Sequence, residues 1–428
     1  MKGRTVFLYY FCMTALLVCT GPILLLSGKR RAGIWQKLGI VPPYIEGALA
    51  GKRRPVWFHA VSVGEFNAVW PLVLALHKEY PELPLVISTA TETGQKLARQ
   101  KAENLATVIY FPLDLLWSLN NWLTALKPAC AVIVETEIWP GFTHECTRRS
   151  IPLLAVNARI SPRSFRRYLS LRAFFGPVLR QFQVVVAQSQ ADADRYRQIA
   201  GEALKIEVSG NLKFDGLTPV DALTAASLRS QLHITDVDLV LVAGSTHSGE
   251  EAALLESYRT LSDQGTKHLR LILAPRHPER WDQVAALIES YGLQVRRATD
   301  KAHFESDKDV YLLDTIGQLF AYYSLATVAF VGGTLVPVGG HSLLEPYAYA
   351  TPVVCGPHLD KTLDAAAALT AAGALTVVAD RQQLTDKIDE LLKNADLRHS
   401  LGLNGQSWLQ TSQGATAKTL HILEEVLS

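Results

Sequence analysis

Short apolar runs alternate along the chain with longer stretches that carry the mixed pattern of covering helices. "PVWFHAV", "LPLVIST", "ATVIYF", "ACAVIVE", "IPLLAVNA" and "QVVVAQS" are rich in Val and Ile, as strands buried on both faces are. Helix-length stretches such as residues 66–80 and 93–104 lie between them. This βαβα order predicts a parallel sheet covered by helices. The pattern begins again near Asp238 with "DLVLVAGST", "LRLILAPR", "DVYLLD", "VAFVGG" and "TPVVCGP". Between the two sets stands "NLKFDGLTP", residues 211–219, whose Gly and Pro favour a turn. The boundary is placed there, giving domains 29–212 and 213–428. The expected fold class is α/β, two doubly wound domains in tandem. Such domains leave a cleft at the C-terminal edges of their sheets, where ligands bind.

The remaining N-terminal part, residues 1–28, breaks this pattern. Hydrophobic residues make up 48% of the 428 and charged residues only 19%, and the apolar surplus is concentrated here. "VFLYYFCMTALLVCTGPILLL", residues 6–26, is uncharged over roughly twenty residues, enough to cross a bilayer as a helix. A cleaved signal peptide competes, but the stretch is long for a signal core and "GKRR" follows it at once. Lys29, Arg30, Arg31 and Lys37 outnumber Lys2 and Arg4, which predicts a single-pass anchor with the bulk of the chain on the cytoplasmic side. The five cysteines agree with a reduced compartment: Cys12 and Cys19 lie in the apolar stretch, and Cys130, Cys146 and Cys355 are scattered without a CxxC spacing. A net charge of +2 points to no nucleic-acid partner.

The chemistry-bearing residues cluster at strand ends. "HAVSVGE" (59–65) places one carboxylate, Glu65, where a strand turns into a helix. "AGSTHSGEE" (243–251) follows another strand, and Ser245 and Thr246 offer hydroxyls and backbone N–H groups to a phosphate. The same residues also suit a plain helix cap followed by first-turn acids. "LAPRHPER" puts Arg276 and His277 at a strand end, where a cation meets a phosphate or carboxylate. In "FVGGTLVPVGGHSLLEP" (330–346), Gly339 and Gly340 permit close approach of backbone to a ligand, and a helix is expected from about Ser342, with Glu345 one turn on to accept from a ribose. "VETEIWPG" holds Glu135 and Glu137, one residue apart and therefore on one side of an extended chain. Arg159, Arg163, Arg166, Arg167 and Arg172 alternate with aromatics in a basic amphipathic segment, which suits an anionic surface or a solvated helix face. The DxD pairs Asp192/Asp194, Asp236/Asp238 and Asp307/Asp309 do not end strands at glycine-rich corners and read as helix-start or turn acids. No metal site is expected.

Together these stretches resemble the 3-deoxy-D-manno-octulosonic acid (Kdo) transferases of lipopolysaccharide synthesis. "HAVSVGE", "TATETG", "PLD", "ETEIWP", "NARIS", "GNLKFD", "AGSTHSGEE", "APRHPER", "DTIGQL" and "VGGTLVPVGGHSLLEP" occur in that family's order. The chain departs from the family pattern at Ser342 and Gly141, where Asn is usual, and at Gln190 and Gln318, where Glu is frequent.

The resemblance implies a GT-B glycosyltransferase of two Rossmann-like domains, held at the inner membrane, that moves Kdo from CMP-Kdo to a lipid A precursor (lipid IVA). It assigns Glu65 as general base of an inverting, metal-independent displacement that needs no cofactor. The N-terminal domain then binds acceptor, with His59, Ser62, Gly64, Glu137 and Arg159 as expected contacts. The C-terminal domain binds donor through Ser245, Thr246, Arg276, His277, Gly339, Gly340, His341, Ser342 and Glu345, with Lys213 added. Two alternatives stay open: a GT-B transferase using a UDP-sugar, and a membrane-tethered sugar-nucleotide binding protein without activity.

Overall fold

The structure is a computed structural model that describes residues 3–26, 33–49 and 51–428. Lys2, Lys29, Arg30 and Arg31 of the expected anchor flanks lie outside the described residues. The chain divides into two compact units, Met1–Gly216 with Ser412–Ser428, and Leu217–Thr411.

The first unit is a seven-stranded parallel sheet: β1 (Val56–His59), β2 (Leu85–Thr89), β3 (Thr107–Tyr110), β4 (Cys130–Val134), β5 (Leu153–Ala158), β6 (Val184–Ala187) and β7 (Ile206–Val208). Their order is β3-β2-β1-β4-β5-β6-β7. The apolar runs are continuous because successive side chains enter opposite cores. Trp57, Val86, Ala131, Ile133 and Leu153 pack on one face, and Val56, Phe58, Ile87, Val132 and Leu154 on the other. Chain order runs outward from β1 to β3 and then resumes at β4 on the other side of β1. The crevice beyond the C-terminal ends of β1 and β4 is therefore the topological switch point.

The second unit repeats the plan with β8 (Leu239–Thr246), β9 (Leu269–Pro275), β10 (Gln294–Arg297), β11 (Asp309–Leu312), β12 (Val328–Val331), β13 (Val353–Cys355) and β14 (Leu375–Val377). The order is β10-β11-β9-β8-β12-β13-β14, which puts its switch point between β8 and β12. Sequence pattern missed β7, β10 and β14. All three are edge strands with partly exposed residues, so no apolar run marks them.

The unit boundary differs from the expected one in two ways. Leu212 is buried in the first core, and its N–H donates to Asn157 Oδ1 at 2.9 Å, so Lys213 belongs to the first unit. The last helix, Ala415–Leu427, also returns to the first unit: Ala415 and Leu423 enter its core, and Asp215 accepts from the Gly414 N–H at 2.8 Å.

The apolar N-terminal stretch is a helix, Gly3–Leu26. Among the described residues no helix is long and apolar enough to cross a membrane. Val6, Tyr9 and Tyr10 pack against the first unit, where the Tyr9 hydroxyl donates to Asp114. Phe7, Leu8, Phe11, Leu16 and Val18 are exposed.

Candidate active site

At the first switch point, β1 ends at His59 and the helix Val63–Glu79 begins three residues after Ala60. Ser62 caps that helix, accepting from the Glu65 N–H at 3.5 Å. The Glu65 carboxylate reaches back and accepts the Val61 N–H at 2.6 Å. The pattern is that of a capping box moved back by one residue, since the N–H taken is that of Val61 and not of the N-cap Ser62, and it fixes the carboxylate at the corner. Gly64 beside it is exposed, and a Cβ there would meet only the Ser62 hydroxyl, at 3.8 Å.

Burial is the largest effect on Glu65 and pushes its carboxyl up to about 7. The Val61 and Ser62 bonds pull the other way, and the negative charges of Glu135 and Glu137 add to the rise. Those two acids follow β4, the neighbour of β1, so three carboxylates converge on one crevice. Glu137 is itself raised, by burial and then by Glu135. Glu135 stands in the left-handed region at φ 61° and pairs with Lys213 Nζ at 2.7 Å. Lys213 is thus ion-paired to the carboxylate cluster of the first unit.

His59 stands beneath this corner rather than at its surface. It is 1% exposed and stacked on Phe111 at 3.7 Å. Its Nδ1 lies 3.0 Å from Ser88 Oγ. Burial lowers it to about 3, so the ring is neutral. Arg159 is exposed at the end of β5, and Arg163, Arg166, Arg167 and Arg172 are exposed on the following helices, Pro162–Ser170 and Arg172–Leu179. Phe165, Tyr168 and Phe175 turn inward to the core and leave the arginines outside.

In the second unit the switch point lies between β8 and β12. Ser245 takes a left-handed φ of 57°, which shifts the register against β9, and β8 continues through Thr246. The helix begins only at Glu250, after Gly249 at φ 97°. The hydroxyls of Ser245 and Thr246 are therefore strand-end groups, not helix caps as expected. Thr246 is fully buried and its Oγ1 has no partner among the described residues.

The expected helix at Ser342 is absent. Residues 341–344 are irregular, and only a short 3₁₀ turn, Pro346–Tyr349, follows. A helix starting at Ser342 would carry Pro346 in its interior, where the ring clashes and an N–H is lost. At the first position of a turn neither penalty arises. Ser342 instead hydrogen-bonds Glu345. Burial raises Glu345 to about 6, against that bond and the charge of Arg276. Gly339 is required: its φ is 101°, and a Cβ would lie 3.0 Å from Cγ of Lys361. His341 meets His247, the residue after β8, with Nε2 atoms 2.8 Å apart. Arg276 and His277 are exposed just past β9, and the His277 ring is 5.2 Å from that of His247.

Sequence pattern passed over three supports of this corner. Glu250, a plain first-turn acid in sequence, accepts backbone N–H groups from His247, Gly333, Thr334 and Leu335 at 2.7–2.9 Å. Glu251 is fully buried and grips Arg280 through two bonds of 2.7 and 3.1 Å. Lys361 lies over Gly339. The "GEE" triplet was the available signal, since two acids at a helix start exceed what a cap needs. At least one acid of each DxD pair is engaged within the protein. Asp192 pairs with Arg195, Asp238 with Arg270, and Asp309 with Arg296.

A family model described as 3-deoxy-D-manno-octulosonic-acid transferase (kdotransferase) matches residues 32–216. The 3-deoxy-D-manno-octulosonic acid transferase of Haemophilus influenzae is 32% identical over 98% of this chain and 97% of its own. The chain belongs to the Kdo transferase family. The Bordetella pertussis member is likewise 32% identical, over 93% of this chain and 94% of its own. Among solved structures, a UDP-N-acetylglucosamine 2-epimerase shares the fold of this Kdo transferase family member, with TM-score 0.60 at 14% identity over 87% of this chain and 97% of that one. The Neisseria meningitidis UDP-GlcNAc 2-epimerase does so with TM-score 0.56 at 13% identity, over 87% and 100%. Two parallel-sheet α/β units of the GT-B kind are thus common to proteins of different chemistry.

Proposed function

We propose that the chain transfers Kdo from CMP-Kdo to a lipid A precursor, lipid IVA, in lipopolysaccharide core synthesis, with Glu65 as general base. The observation that carries this reading is Glu65 held at the β1/β4 switch point by its bonds with Val61 and Ser62, with its carboxyl raised to about 7. A base with a pKa near the working pH is both ionised and basic enough to accept a proton, a contribution of typically 10²–10⁴-fold.

In this mechanism an acceptor hydroxyl gives its proton to Glu65 as its oxygen attacks the anomeric carbon of Kdo. The bond from that carbon to the phosphate oxygen breaks, and the electron pair leaves with CMP. One displacement inverts the anomeric centre. The second unit holds the donor near Arg276, His277, His341 and Lys361, and the charges of Arg276 and Lys361 meet its single phosphate. CMP carries no diphosphate for a metal to neutralise. The first unit takes the acceptor, whose phosphates meet the exposed arginines from Arg159 to Arg172.

The helix Gly3–Leu26, through its exposed apolar side chains, is the attachment to the inner membrane, with both units on the cytoplasmic side. The donor class is tested by inhibition of transfer in the presence of EDTA. CMP is expected to inhibit and UDP not to; inhibition by UDP alone, or activity only with added metal, contradicts the reading.

A further inference from the structure

His247 and His341 come from different strands of the second switch point, yet their Nε2 atoms are 2.8 Å apart and their rings lie 5° from parallel. At that separation one Nε2 carries a hydrogen and the other presents its lone pair. The pair can hold one extra proton, on the free Nδ1 of the donating ring, and keep its hydrogen bond. A second extra proton would set N–H against N–H. The pair therefore carries either no charge or one positive charge.

We propose that the His247–His341 pair takes up one proton when the donor's phosphate binds, making His247 a positioning residue that holds His341 against the anion. The inference rests on the donor site placed above in the second unit. The surroundings oppose that proton while the site is empty. His247 faces His277, Arg280 and Lys361, with Glu251 the opposing acid, itself tied to Arg280. His341 faces Arg276, Lys361 and His277. The Glu250 carboxylate is taken up by four backbone N–H groups, one of them from His247, and is not a counter-charge to the rings. Burial and these cations hold His247 below its ordinary range and His341 at about 4, so the free pair is neutral at pH 7. A bound anion reverses the balance, since an opposite charge within about 4–6 Å raises such a group by about 1–3 units.

The test is calorimetric titration of the full chain with the methyl ester of CMP, in two buffers of different ionisation enthalpy. A phosphodiester has no proton to exchange near neutral pH, so any uptake belongs to the protein. The expected result is uptake approaching about one proton per bound molecule near pH 6, with the dissociation constant rising by up to about tenfold per pH unit until the pH passes the bound pair's pKa, and level beyond it. His247→Gln keeps a hydrogen-bond donor to His341 and is expected to abolish the uptake, while His399→Gln, exposed on the helix Ala395–Thr411, retains it. Should His247→Gln not fold, His341→Gln serves with the same expectation. Binding without uptake in the wild type overturns the inference and leaves the donor site standing, as does uptake that persists in His247→Gln. Failure of both CMP and its methyl ester to bind overturns the donor site and the inference with it.

Discussion

The ring of Tyr10 occupies the space that a side chain on residue 141 would need. A Cβ on Gly141 would lie 2.8 Å from Tyr10 Cε1 and 2.6 Å from Asp114 Oδ1, while the Tyr10 hydroxyl donates to the Gly141 carbonyl at 3.1 Å. The Gly141 N–H in turn donates to Asp114 at 2.8 Å. Gly141, a departure from the family pattern, thus seats the N-terminal helix on the first unit. Gly141→Ala is expected to cost about 1–3 kcal/mol through overpacking. The loss shows as faster proteolysis between residues 26 and 56, with Glu65 chemistry retained.

As the proposed base, Glu65 is expected to act on both rate and stability, with opposite signs. Glu65→Gln is expected to lower kcat by about 10²–10⁴-fold. For the wild type, kcat/KM rises with pH and levels off above about 7 as the carboxyl ionises. The native state binds this proton more tightly than the unfolded chain, whose carboxyl titrates near 4.5. Stability from this group is therefore full below about 4.5 and is lost as pH rises through about 7. Glu65→Gln is expected to gain about 1 kcal/mol at pH 8, allowing for solvent screening of a partly exposed group, and nothing at pH 4. Thermal melts at the two pH values check the sign.

Lys213 pairs at 2.7 Å with Glu135, one of the negative neighbours of Glu65. Lys213→Met leaves Glu135 without its counter-charge and moves the acid limb of the pH–rate profile up by about half a unit to one unit. Glu135→Gln removes a negative neighbour of Glu65 and moves the limb down. Profiles at low ionic strength resolve the two shifts, and a Lys213→Met profile that moves down contradicts the assignment.

Arg280 is the counter-ion of a fully buried carboxylate, Glu251. Arg280→Met leaves that charge unpaired and is expected to cost about 3–5 kcal/mol in denaturant unfolding of the second unit. Glu251→Met combined with Arg280→Met is expected to recover most of the loss.

The fold and part of the site were legible for physical reasons. Strands such as β1 and β4 are buried on both faces, so "VWF" and "AVIV" announce them. Glu65 was legible because a single carboxylate stands where the apolar run of β1 turns on small residues into a helix, and its role came from the family resemblance. Strand β10, "QVRR", was not, because an edge strand keeps its arginines partly in solvent. Nor was the contact of His247 with His341, 94 residues apart, which exists only because β8 and β12 are neighbours across a switch point. The unit boundary was drawn a few residues early because sequence shows a turn near 216 but not that Asn157 and the returning C-terminal helix hold residues 212–215 in the first unit. The helix expected at Ser342 was drawn from its glycines and overlooked Pro346, which decides where the turn begins.

The most direct test of the account is the mass of the lipid product. Detergent-solubilised full chain is given CMP-Kdo generated in situ and a tetra-acylated lipid A precursor, with EDTA present, beside Glu65→Gln at equal concentration. The account predicts lipid heavier by one or more Kdo units with the wild type and a rate at least about 100-fold lower with Glu65→Gln. Unmodified lipid with both proteins, or equal transfer by both, contradicts it.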